Sequence, residues 1–220
     1  MKAASMERLL ALRADQAQRG EYMAQMRGRF SELAARHDNG SAPVAVSSFN
    51  LFQTPREVAE RMAALVANHL RDVDAPRILE PSAGLGRIYS AIAAAVPAAR
   101  VVCVDASNDC AQQLHRLAVD RDGDRIYTRD FLTCDQWEIG GTLFDAVAMN
   151  PPFKQGADIR HILHARGLVR PGGLLVSLCY DGARQNATLR PMAATWEQLP
   201  RNSFREAGTS ADVVMLTMTA

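Results

Sequence analysis

The chain has 220 residues, 48% of them hydrophobic and 22% charged, with a formal net charge of +1. That length suits one α/β domain with a small appendage, and the apolar share provides for a globular core. Near-neutrality excludes overall basicity as a mark of a nucleic-acid partner, so any basic surface must come from uneven placement. The four cysteines (Cys103, Cys110, Cys134, Cys179) form no C-x-x-C pair. This argues against a zinc site or a disulfide framework and for a reducing cytoplasm. The N-terminus has no long apolar segment, and no apolar run approaches the roughly 18 residues of a membrane span, so neither secretion nor membrane spanning is expected.

Residues 3 to about 37 read as one or two helices, free of proline and rich in Ala, Leu, Met, Glu and Arg. Tyr22, Met26, Phe30 and Leu33 make an apolar stripe there. The stretch from His37 to Ser48 breaks the pattern with Asn, Gly, Ser and Pro and reads as a linker. It divides an N-terminal helical extension (1–47) from the main domain (48–220).

Strands and helices then alternate. Thr54 is a candidate N-cap with Pro55 at the first helical position of a helix running to Leu70. RILE (77–80) is a short buried strand, and GRIYSAIAAAV (86–96) a helix. ARVVCVDA (99–106) is a strand ending in an acid, followed by a helix from Asn108 that Ser107 caps. DRIYTRDF (124–131) and LFDAVAMN (143–150) are the third and fourth strands. A helix over 156–169 follows, then a turn and strand over 171–180. Asn202–Gly208 and Asp212–Thr219 read as two further strands joined by a tight Gly-containing turn. The alternation predicts a mainly parallel sheet with helices on both faces, closed by an antiparallel hairpin.

Two stretches carry chemistry. In Glu80-Pro81-Ser82-Ala83-Gly84-Leu85-Gly86 a strand runs into a small-residue loop and then a helix. Glycines let such a backbone turn sharply and approach a ligand, and helix-start N–H groups can face it. Tyr89 stands where a dinucleotide fingerprint has its third glycine. Asp105, at the end of the second strand, is placed to accept hydrogen bonds from ribose hydroxyls, or else to cap the next helix. Asp130-Phe131 after the third strand offers an acceptor and an apolar edge to a purine, or is a routine strand end. The second stretch, Asn150-Pro151-Pro152-Phe153, puts an amide, two rigid residues and a ring at the end of the fourth strand. Proline fixes φ and restricts its predecessor, so carbonyl acceptors there are held in place. His161 and His164 read as a solvated or partly packed face; their H-x-x-H spacing lacks a third ligand, and no metal site is expected.

The loop Glu80–Gly86 resembles the S-adenosylmethionine-binding motif of class I methyltransferases, in the variant common among adenine methyltransferases. Asn150–Phe153 resembles that group's N-P-P-aromatic catalytic motif, and Thr54-Pro55 its upstream T-P. The resemblance covers about residues 48–220, and the stretches 150–178 and 203–218 look like small phage and mobile-element enzymes. It implies a Rossmann-like, doubly wound, mainly parallel seven-stranded α/β sheet with a C-terminal antiparallel hairpin. By that resemblance Thr54, Glu80, Ser82 and Gly84 hold the cofactor's methionine part, and Pro55, Ala83 and Gly86 belong to the same cofactor site. Asp105 and Ala106 hold its ribose, and Asp130 and Phe131 flank its adenine. Asn150, Pro151, Pro152 and Phe153 grip a planar amine. Lys154, Arg160, Arg184 and Arg190 are candidate substrate contacts.

The implied activity is methyl transfer to the N6 amine of adenine, with DNA the first choice of partner. RNA adenine or guanine, a protein glutamine amide, and a non-catalytic binding role stay open. A nicotinamide-dependent enzyme could share the loop and Asp105 but gives no account of Asn150–Phe153.

Overall fold

A computed structural model of the chain describes residues 53–205, 209 and 211–220. The expected N-terminal helices and linker lie outside the described residues. The elements are α1 (Arg56–His69), β1 (Arg77–Pro81), α2 (Arg87–Ala95), β2 (Arg100–Asp105), α3 (Asn108–Leu117), β3 (Arg125–Thr128), β4 (Phe144–Met149), α4 (Ala157–Arg166), β5 (Val169–Tyr180), α5 (Ala183–Thr188), β6 (Thr195–Gln198) and β7 (Val213–Thr219).

The seven strands form one sheet in the order β3-β2-β1-β4-β5-β7-β6. The first five run parallel, while β7 lies antiparallel to both β5 and β6. Period-two alternation sorts the strand side chains onto the two faces. Ile78, Val101, Cys103, Ala146, Ala148, Val176 and Leu178 pack on one face, with the α1 stripe Val58, Met62 and Val66. Leu79, Val102, Val104, Val147, Met149 and Leu175 pack on the other, with Ile162 and Ala165 of α4. Burial on both faces is why the strands read as continuous apolar runs. After β3 the chain crosses to the far side of β1, so the loops leaving β1 and β4 diverge and open a crevice at their carboxyl ends.

Three expectations are corrected. The closing hairpin is built from Thr195–Gln198 and Val213–Thr219, whereas residues 201–205 form turns. Phe204 carries the apolar signal of that segment because it plugs the core, 1% exposed, rather than because it alternates in a strand. The strand β6 escaped notice because an edge strand with three exposed residues shows little apolar alternation. Second, α4 ends at Arg166 and β5 already begins at Val169, with Pro171–Gly173 bulging inside the strand. A Cβ on Gly173 would meet the Asp145 carbonyl at 2.8 Å, so only glycine lets β5 rejoin β4 there. Third, Thr54 does not cap α1. Pro55 is the N-cap residue, no side chain caps the helix, and the Thr54 hydroxyl is engaged elsewhere. Ser107 does cap α3, accepting from the Cys110 N–H.

Candidate functional site

A cavity of about 330 Å³ opens at the carboxyl ends of β1, β2 and β4. Its floor is the β1–α2 loop, contributing Glu80, Ser82, Ala83 and Gly84; Asp105 and Ala106 come from the end of β2. Asp130 and Phe131 arrive from the turn after β3, Thr54 from the segment before α1, and Asn150, Pro151 and Pro152 from the end of β4. The topology thus gathers both of the motif stretches, which lie about 70 residues apart in sequence, into one site.

Seven residues expected at the site lie outside its lining. Pro55 sits behind Thr54 as the start of α1. Gly86 adopts a left-handed φ of 77°, and a Cβ there would meet Leu117 at 2.7 Å and Leu114 at 2.9 Å. Its glycine is therefore required by the close approach of α2 to α3, not by a ligand. Phe153 is half-buried, its ring packed against the first core cluster. Lys154, Arg160 and Arg184 are exposed around the turn that follows, and Arg190 is exposed just past α5, bonded to Asn186; all four lie outside the cavity.

The β1–α2 loop is tied down by its own amides. The Ser82 and Ala83 N–H groups both donate to the Val104 carbonyl, at 2.8 and 3.0 Å, and the Gly86 N–H to Ala83. The Gly84 N–H donates to the Asp105 carboxylate at 2.7 Å, whose other oxygen accepts from the Ser107 N–H at 2.8 Å. Asp105 thus braces the loop and the start of α3, and a carboxylate with about four lone-pair sites retains acceptor capacity beyond these two bonds. Four of the loop's amides are thus spent inside the fold, which holds its shape.

Glu80 is almost wholly buried, at 1% exposure. Burial pushes its carboxyl well above the usual range, the Asp105 charge adds to this, and bonds from the Tyr89 backbone and the Cys103 thiol oppose it. Tyr89 fills the place of the missing third glycine. It is buried, and its hydroxyl donates to Asp124 at 2.8 Å.

Asn150 Nδ2 donates to the Thr54 hydroxyl at 3.0 Å. That contact turns the amide nitrogen toward Thr54 and the carbonyl oxygen away from it. Following the prolines, the chain makes a short turn at Lys154–Gly156 and enters α4. The Asp158 carboxylate, fully buried, anchors that helix by accepting from the Tyr180 N–H at 3.1 Å and Gln185 Nε2 at 2.9 Å.

His161 is the lining residue that sequence reasoning misplaced. It is buried, at 8% exposure, with Nδ1 3.3 Å from the Ser82 hydroxyl. Its signal was present: Ala157, Asp158, His161, Ile162 and Ala165 recur along one buried stripe of α4. His164, by contrast, is half-buried and 2.8 Å from the Cys134 carbonyl through Nε2.

The model of the methyltransferase small domain family matches residues 56–203. A comparison with curated proteins finds no match. Among solved structures, the chain is similar to the methyltransferase subunit of a type I restriction-modification system from Streptococcus thermophilus, with a TM-score of 0.67 and 16% identity over 76% of this chain and 44% of that one. It is similar also to TrmN from Thermus thermophilus, with a TM-score of 0.57 and 17% identity over 75% and 49% of the two chains. An rRNA methylase from Streptococcus thermophilus gives 0.53 and 16% over 77% and 99%. At these identities the likeness is one of fold, and the chain spans less than half the length of the first two. The family match covers two thirds of the sequence and includes the strands that build the cavity, so this chain belongs to the methyltransferase small domain family, with S-adenosylmethionine as its methyl donor.

Proposed function

We propose that the chain methylates the exocyclic N6 amine of adenine in DNA. The observation that carries the reading is the Thr54–Asn150 contact inside a cavity shared with the Glu80–Gly84 loop.

The residues present suit the cofactor. The carboxylates of Asp105 and Asp130 and the buried Glu80 carboxyl line the cavity, acceptors that suit the ammonium and hydroxyl groups of a cationic ligand. Thr54, Glu80, Ser82, Ala83 and Gly84 would hold its methionine part, Asp105 and Ala106 its ribose, and Asp130 and Phe131 its adenine. When bound, it supplies a methyl group made electrophilic by a sulfonium.

The protein's task is then to raise the nucleophilicity of a poor amine, whose lone pair is delocalised into the purine ring. Two acceptors aimed at the amine hydrogens draw the nitrogen toward tetrahedral geometry and stabilise the positive charge it gains. Asn150 Oδ1 is the first, since the amide nitrogen is given to Thr54. The Pro151 carbonyl is the second, and the proline rings hold both in place before reaction. Phe153, half-buried beside the prolines, is the ring on which a flipped base would stack, a contact of about 1–3 kcal/mol.

Phosphate contacts would come from the turn after the prolines. Lys154 lies on it; Arg160 Nη1 donates to the Gln155 carbonyl at 3.4 Å; Arg184 Nη1 lies 3.5 Å from where a Cβ on Gly156 would stand. None of the three pairs with a carboxylate among the described residues. Charge gathered beside the site, in a chain of net charge +1, supports a polyanionic substrate. Arg184→Ala and Lys154→Ala are each expected to weaken binding uniformly across sequences. Each should also lower the slope of log affinity against log salt by about one. Unchanged slopes would remove these residues from the interface.

The deciding experiment incubates the protein with labelled S-adenosylmethionine and unmethylated DNA, RNA or a translation release factor, followed by mass analysis of nucleosides and peptides. N6-methyladenine in DNA is the expected product. Methylated RNA adenine or guanine, or a methylated glutamine, would replace the DNA reading with another planar amine or amide offered to the same acceptors.

A further inference from the structure

We propose that His161 sets the site's preference between S-adenosylmethionine and its uncharged-sulfur product, S-adenosylhomocysteine, through the protonation of one imidazole. The inference rests on the cofactor of the family and is independent of which amine is methylated.

The side chain joins three cavity walls. It belongs to α4, the helix that follows Asn150–Phe153. Its Nδ1 meets the Ser82 hydroxyl in the β1–α2 loop, and its ring lies 5.7 Å from that of Phe131, tilted by 45°. Ser82 holds a left-handed φ of 66°, uncommon for a residue with a side chain, so its hydroxyl is directed by a strained backbone and met by a buried partner. A neutral imidazole can serve as donor or acceptor to Ser82, and a protonated one still donates. What protonation changes is therefore the charge at the cavity wall rather than the contact.

Burial favours the neutral ring and pushes its pKa below the usual histidine value. Asp130 and Asp158 favour the charged ring, and Arg160 and His164 oppose it. Glu80, Asp105, Arg87 and Arg129 face it across the cavity. Above the ordinary histidine value of about 6.5 the ring is neutral with or without ligand, and affinity does not depend on it. As pH falls through the lowered value, the free protein takes up a proton that a cationic ligand resists by like-charge repulsion. Affinity for the sulfonium then falls, while the product, lacking that charge, is spared. By reciprocity, S-adenosylmethionine must lower the His161 titration midpoint more than S-adenosylhomocysteine does.

Calorimetric titration of the wild type and His161→Gln with both ligands, at about pH 7.5 and about pH 5, tests this. In the wild type the preference for S-adenosylhomocysteine should grow about threefold to tenfold on acidification, the size expected for one charge at partly screened range. In His161→Gln, which keeps a hydrogen-bonding group beside Ser82 but cannot titrate, the ratio should stay level. A parallel rise in the variant would place the proton on another group, Glu80 foremost, and overturn the proposal. Should the variant fold poorly, the wild type decides through its ¹³C-labelled histidine resonances: equal His161 midpoints in the two complexes refute the assignment. Because only ligand binding is read, a wrong DNA assignment leaves the outcome untouched.

Discussion

Asn150→Ala is expected to lower methyl transfer by about 10²–10³-fold, the usual loss when one preorganised electrostatic partner of a transition state is removed. Cofactor affinity should stay within a few-fold, because the lost carbonyl is aimed at the amine. The selectivity follows from geometry: the Thr54 hydroxyl takes the amide nitrogen at 3.0 Å, which commits the carbonyl end to a fixed direction. Pro151, buried behind it, keeps its own carbonyl in the variant, so part of the catalysis survives. Single-turnover transfer with labelled cofactor gives the chemical step, and calorimetry with S-adenosylhomocysteine gives the binding. Turnover within about threefold of wild type would end the acceptor role assigned to Asn150. A loss of both binding and turnover would make it a cavity-shaping residue instead.

The legible parts of this protein are those where local chemistry and topology agree. Strand-loop-helix at Glu80–Gly86 and the acid at Asp105 sit in register on neighbouring strands, and Asn150–Phe153 ends the strand on the other side of β1. Each leaves a local signal: small residues, an acid at a strand end, paired prolines. What stayed hidden depends on partners far apart in sequence. Whether Thr54 caps a helix or orients an amide is decided by Asn150, 96 residues away. Gly86 reads as a ligand-approach glycine until Leu114 and Leu117 of α3 are seen against it. His161 reads as a solvated or partly packed position because a histidine on an apolar stripe gives no clue to the ring and hydroxyl it meets. The edge strand β6 was invisible because its exposed residues have no core to alternate toward.

Asp124→Ala is expected to destabilise the fold by about 3–5 kcal/mol, the cost of stripping a buried charge network of its acceptor. This is a large fraction of the roughly 5–15 kcal/mol that holds a typical domain together. The Asp124 side chain is only 2% exposed and accepts from Arg121 Nε, the Tyr89 hydroxyl and the Val101 N–H, each at 2.8 Å. Removing it orphans all three donors at once, on α2, at the start of β2 and beside the turn that precedes β3. Tyr89→Phe deletes a single donor and should cost only about 1 kcal/mol. Urea denaturation with an unchanged m-value measures both. The same contact makes stability fall in alkali. Burial first, and the bond to Asp124 second, raise the Tyr89 pKa. Its contribution is thus complete below the ordinary tyrosine value of about 10 and declines as pH rises through the raised one. In Tyr89→Phe that alkaline decline should be smaller, the buried cysteines, whose thiols burial also raises, keeping the remainder. The position is where a dinucleotide-binding loop has its third glycine; here the tyrosine instead ties α2 to the residue that precedes β3. A loss below about 1 kcal/mol in Asp124→Ala would show that this network contributes little to the fold.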